Sequence, residues 1–175
     1  MATDFKQSLI RVALLLPSLS PCSLAAQEIF NFKSGLACTD GRTHGWICHE
    51  TTIIPITGQG KCVYNRKELP CTWYGFEFDY SGFEQSTELT CVVNTSHPAD
   101  WGDPTEELEK NVTETTFSLS VPPGDGHFYN PQYSIFGGLR KKPHTDKRQL
   151  ACSLNGEEAF RINYEFMYPA MPAQP

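Results

Sequence analysis

The chain has 175 residues, a formal net charge of −6 and 39% hydrophobic residues. That length suits one domain with a real core, and the acidic balance excludes the clustered positive charge that phosphate backbones demand. It equally disfavours simple adhesion to anionic lipid.

Residues 1–26 read as an export signal. Lys6 and Arg11 give a positive start, and Val12 to Leu16 form a short apolar core. Ser23-Leu24-Ala25 then places small residues where a signal peptidase needs them, so cleavage is expected near Ala25 or Ala26. The run is too short for the ~20 residues of a membrane span, and Pro17 and Pro21 break the stretch after it. No integral membrane span is expected. A lipoprotein acylated at Cys22 is disfavoured, because Pro21 stands where a small residue belongs. Cleavage leaves 12 basic and 19 acidic residues, a mature charge of −7. The expected organisation is a signal peptide at 1–26, one domain at 27–168 and a disordered tail at 169–175. The address is secreted or periplasmic.

Six cysteines remain after cleavage: Cys38, Cys48, Cys62, Cys71, Cys91 and Cys152. An even count in an exported chain points to disulfides. Six cysteines admit many pairings, and spacing does not choose among them. The favoured set is Cys38–Cys48, Cys62–Cys71 and Cys91–Cys152. The first two close short loops, and the third staples distant segments. A zinc site is disfavoured because no C-x-x-C pair occurs.

In chain order, the expected strands are Glu28–Phe32, Trp46–Ile56, Lys61–Tyr64, Trp73–Tyr80, Thr87–Asn94, Thr115–Val121, Tyr133–Phe136, Gln149–Leu154 and Glu158–Phe166. Several show strict alternation, the mark of a half-buried strand. Tyr74, Phe76, Phe78 and Tyr80 share one face, while Glu77 and Asp79 point the other way. Ser81-Gly82, Pro122 to Gly126 and Asn155-Gly156 read as turns. The last should close a hairpin between its flanking strands. One short helix is expected near residues 104–109, where Asp103-Pro104 resembles a capped helix start. The fold class is therefore all-β: an antiparallel β-sandwich, or a partly open barrel, stapled by disulfides.

Chemistry is less legible. Alternating Glu77 and Asp79 resemble the paired acids of a polysaccharide hydrolase, although alternation alone produces an outward polar face. No metal or cofactor motif is present: the histidines form neither H-x-H nor H-E-x-x-H. The acidic stretch around Asp103 lacks calcium-loop spacing. Asn94-Thr95-Ser96 and Asn111-Val112-Thr113 match the N-glycosylation acceptor pattern. Aromatic residues, among them Trp73, Trp101, Tyr129 and Tyr133, either fill the core or form sugar platforms. Trp101, set between Asp100 and Gly102, is expected to expose its ring. Gly126 to Pro131 is expected to be a loop presenting His127 and Tyr129.

The favoured function is a non-enzymatic, exported binding module contacting a protein or glycan through loops. The alternatives are a hydrolase using Glu77 and Asp79, and an accessory subunit of a surface structure joined at a sheet edge. Intact-mass spectrometry of the native protein should find an N-terminus at Ala26 or Gln27 and the loss of six protons from six thiols. An unprocessed mass, or free thiols, would contradict the export reading.

Overall fold

The computed structural model describes residues 27–38, 46–64, 66–101, 109–136 and 142–170, except for the side chain of Lys110. The expected signal peptide and the last five residues of the tail lie outside the described residues. So do residues 104–108 of the expected helix. Glu109 opens a strand instead, and no helix occurs among the described residues.

Among the described residues, ten strands form two sheets. They are β1 (Glu28–Cys38), β2 (Trp46–Glu50), β3 (Ile53–Pro55), β4 (Gly60–Tyr64), β5 (Lys67–Phe83), β6 (Thr87–Trp101), β7 (Glu109–Val121), β8 (Gly124–Ile135), β9 (His144–Leu154) and β10 (Glu157–Tyr168). Sheet A runs β2-β1-β5-β4, with β8 along the other edge of β5. Sheet B runs β3-β10-β9-β6-β7. All pairings among the described strands are antiparallel except that of β3 with β10.

The expected strand Trp46–Ile56 is in fact two strands in different sheets. The chain crosses between them at Thr51-Thr52, where Thr51 Oγ1 accepts from Ile53 N at 3.0 Å. Ser81-Gly82 is not a turn either. Strand β5 runs through it to Phe83, with Gly82 at φ 74° and its pairing to β8 slipping between Tyr80 and Phe83. A residue with positive φ inside a strand lets it bulge rather than reverse. Asn155-Gly156 behaves as expected. Both residues have positive φ, 52° and 85°, which suits the tight turn joining β9 to β10.

The core lies between the sheets. Sheet A contributes Tyr74, Phe76, Phe78 and Tyr80, the inward set anticipated from alternation. Sheet B answers with Leu89, Leu150, Phe160, Ile162, Tyr164 and Phe166. Ring contacts cross the gap, Phe76 to Phe160 at 5.1 Å and Tyr74 to Phe166 at 4.7 Å. The Tyr164 hydroxyl donates to the Gly75 carbonyl at 2.7 Å, so a buried phenol is satisfied by the opposite sheet.

All three disulfides pair as favoured. Cys38–Cys48 ties β1 to β2, Cys62–Cys71 ties β4 to β5, and Cys91–Cys152 ties β6 to β9. The last joins residues directly opposite in the ladder, with Cα atoms 4.1 Å apart. Three disulfides fit an oxidising extracellular or periplasmic compartment.

One end of the core is polar. Arg148 points inward from β9, its Nε donating to Asp146 Oδ2 at 3.0 Å. Its other nitrogens reach the hydroxyls of Tyr74 at 3.3 Å and Tyr168 at 3.1 Å. The guanidinium also lies over the Phe166 ring, 4.1 Å from its centroid. Burial works against the Arg148 charge, but Tyr74, Tyr168 and Asp146 outweigh it and hold its pKa above the ordinary value. Removing one partner of such a buried pair strands the other. Arg148→Ala should therefore cost about 3–5 kcal/mol in chemical denaturation, and Arg148→Met with Asp146→Leu should recover most of that loss. A cost below about 1 kcal/mol for Arg148→Ala would show that water satisfies Asp146 unaided.

Candidate functional site

The outer face of sheet A gathers residues that the sequence nominated separately. On β5, Trp73, Gly75, Glu77 and Asp79 share the face opposite the core. In the ladder to β8 they stand opposite Tyr133, Pro131, Tyr129 and His127 in turn. Glu77 and Asp79, read as a hydrolytic pair, therefore sit beside Tyr129 and His127, read as loop residues. The expected loop is absent: Gly126–Pro131 is the middle of β8. Pro131 had argued for a loop, but among the described strands β8 pairs only with β5, and an edge strand tolerates a proline.

His127 is the hinge of the cluster. Its Nδ1 lies 2.9 Å from Asp79 Oδ1, and its Nε2 lies 3.7 Å from Glu77 Oε2. Asp79 also accepts from Asn31 Nδ2 at 2.8 Å. Asn31 has φ 49° at a slip in the β1–β5 ladder, a conformation asparagine tolerates, and this places its amide over β5. Nothing in the local sequence marked Asn31 or Lys33 as part of a site. Both arrive through the β1–β5 register.

The two acids differ in surroundings. Glu77 is 5% exposed, although alternation put it on the polar face. Strand β2 covers it: Ile47 N donates to Glu77 Oε2 at 2.9 Å, and Lys33 Nζ lies 3.5 Å from Oε1. Glu77 thus spends one oxygen on anchoring backbone. Asp79 remains open to solvent, and hydrogen bonds from Asn31 and then His127 hold its pKa below the ordinary value. A two-carboxylate hydrolase needs one protonated acid and one ionised carboxylate. The lowered pKa suits Asp79 to the second role only, so the acid role would fall to Glu77, whose Oε2 is already engaged by Ile47 N. The Tyr129 hydroxyl, opposite Glu77, is enclosed without a hydrogen-bond partner. Burial, and secondarily the Glu77 charge, raises its pKa.

Beyond Gly75 and Pro131 the face turns aromatic. Trp73 and Tyr133 pack edge to face with centroids 5.3 Å apart. Gly60 makes room for this, since a Cβ there would come within 2.7 Å of the Trp73 ring. The Tyr133 hydroxyl donates to the Val63 carbonyl at 3.3 Å. The strip therefore runs from two rings at one end to a carboxylate–imidazole–amide cluster at the other.

Trp101 is not part of it. It ends β6 in sheet B, and its ring is half-buried against the core beside Arg148, 5.3 Å from the guanidinium carbon. The expected exposed ring is absent because folding packs it against the core and Arg148, which its sequence neighbours did not disclose. Its indole N–H is buried without a partner. Among the described residues, no three histidine, cysteine or acidic side chains group so as to hold a metal ion.

Fold and site together define a disulfide-stapled, all-β protein with a mixed aromatic and polar sheet face. The chain matches no protein-family model, and no curated protein shows significant similarity to it.

Asp79 supplies a pH test. Its folded pKa lies below the ordinary 3.8, so its contacts with Asn31 and His127 stabilise the fold above that value and are lost as pH falls through the lowered pKa. An NMR titration should place the Asp79 carboxyl midpoint below 3.8, with the Asn31 side-chain amide shifting in the same step. Asp79→Asn should abolish that step. A midpoint at or above 3.8 would refute the hydrogen-bond assignment.

Proposed function

We propose that this protein is an exported, non-enzymatic binding module whose ligand, a glycan, lies across the outer face of sheet A. The observation that carries this reading is the convergence of Glu77, Asp79, Tyr129 and His127 with the Trp73–Tyr133 pair on two adjacent strands. Aromatic rings offer a sugar an apolar face, and the Asp79–His127–Asn31 cluster offers its hydroxyls acceptors and donors. Strands hold such groups more rigidly than the loops that the sequence suggested, which reduces the ordering cost of binding. The ligand would not be cut, because the proton-donor role would fall to Glu77, whose Oε2 is engaged by Ile47 N of β2. Export rests on the signal-like N-terminus together with the three disulfides.

A protein partner has one observation in its favour. Among the described strands, β7 pairs only with β6, so its outer edge is open to strand addition.

A glycan array probed with the purified protein should retain it on a defined sugar class. Trp73→Ala should weaken that binding at least ten-fold, as should His127→Ala, while the protein releases no reducing ends from the bound polymer. Retention on no glycan, or undiminished binding by both variants, would remove the sheet A reading. Release of reducing ends that Glu77→Gln abolishes would instead establish the hydrolase.

A further inference from the structure

The outer face of sheet B carries a chemically different surface. Strand pairing sets Asn94 of β6 opposite Gln149 of β9, and Gln149 opposite Asn163 of β10. Neighbouring strands lie about 4.8 Å apart, so these three amides form a row about 10 Å long across the sheet. The row floors a shallow groove of about 680 Å³, bordered by Thr52, Ile53, Lys147 and Glu165.

The orientation of the amides is set by their partners. Arg161 Nη1 donates to Gln149 Oε1 at 2.7 Å, and Gln149 Nε2 donates to Asn163 Oδ1 at 2.9 Å. A guanidinium only donates, so the relay has a single direction. It leaves the NH₂ of Asn163 as an unpaired donor among the described residues. Asn94 is exposed, and neither its oxygen nor its nitrogen is engaged by another described side chain or backbone group. The charges at the groove are already matched, Lys147 with Glu165 at 3.5 Å and Arg161 with Glu158. Ile53, 50% exposed, is the apolar contact at the border.

We propose that this groove binds a chain of N-acetylated amino sugars. An acetamido group carries one N–H, one carbonyl, one methyl and no charge. Asn94 can accept from the N–H, Asn163 can donate to the carbonyl, and Ile53 can receive the methyl. The Thr52 hydroxyl, exposed beside Ile53, is placed for a ring hydroxyl. Matched charges at the border give no purchase to an ionic ligand. An extended peptide is less well served, because peptide grooves provide apolar pockets for alternate side chains and this groove has one such contact. This site is independent of the sheet A face, which lies on the other side of the sandwich.

The test is co-sedimentation of the intact protein with four insoluble polymers. Peptidoglycan and chitin carry the acetamido group, and chitosan and cellulose lack it. Titration with soluble N-acetylglucosamine tetramer then measures affinity. The expected result is retention by one or both acetylated polymers and by neither control, with the retaining polymer identifying the source. Asn163→Ala and Asn94→Ala, checked for native circular dichroism, should each weaken tetramer binding at least ten-fold. Glu88→Gln, exposed on the same face of β6 but six residues from Asn94, should leave it unchanged, which ties the loss to the groove. Equal retention by chitosan, no retention by any acetylated polymer, preferential capture of peptides, or full affinity in both asparagine variants would each overturn the assignment.

Discussion

The two-residue period of β5 is the constraint on which the rest of the molecule depends. Its inward side chains, Tyr74, Phe76, Phe78 and Tyr80, supply the sheet A half of the core. Its outward side chains, Trp73, Glu77 and Asp79, supply the candidate site. A slip of one residue would exchange the two sets, setting carboxylates against Phe160 and Phe166 and rings against water. Three strands hold β5 against such a slip. β1 and β4 divide one edge between them, and β8 runs along the other. Cys62–Cys71 fixes the β4 pairing covalently, and the Tyr164 hydroxyl grips the Gly75 carbonyl from the opposite sheet.

Burial of Glu77 shows how a sheet face acquires a site. An alternating strand exposes its polar residues unless something lies over them. Here β2, held to β1 by Cys38–Cys48, passes close enough for Ile47 N to bond the carboxylate. Glu77 then draws Lys33 and His127 toward itself, and His127 in turn meets Asp79. The cluster is thus a chain of polar groups that begins with one buried charge. Buried charges persist only where such partners compensate them.

The polar end of the core obeys the same rule inside the sandwich. Arg148 is inward-facing, yet it satisfies Asp146, Tyr74 and Tyr168 at once and lies against Phe166. A further hydrogen bond joins Tyr168 to Ser134 at 2.8 Å, extending the network from sheet B to sheet A. The two sheets are therefore joined by aromatic packing through the middle and by a guanidinium network at one end. Nothing in the sequence marked Arg148 as inward, because a charged residue in alternation reads as outward whichever way its strand faces.

Local pattern was enough for the all-β class, the inward face of β5 and the β9–β10 hairpin. Each depends on residues close in sequence, or on a parity that alternation preserves. Strand lengths and the division of Trp46–Ile56 between two sheets were not legible, because they depend on which neighbour offers a ladder. For the same reason Gly126–Pro131 looked like a loop: glycine and proline break isolated strands, but not an edge strand held along one side by β5. Glu77, Asp79, His127 and Tyr129 were each visible as residues, whereas their meeting on one face was not. Their convergence is a matter of register between strands about 50 positions apart, such as Asp79 opposite His127, and register is set by the packed core. Trp101 failed in the opposite direction, since its polar sequence neighbours did not disclose the core and Arg148 that folding brought against it. The sequence by itself determined what each strand would bury; only the tertiary structure decided which exposed residues would stand together, because that depends on pairings between distant segments that no local pattern encodes.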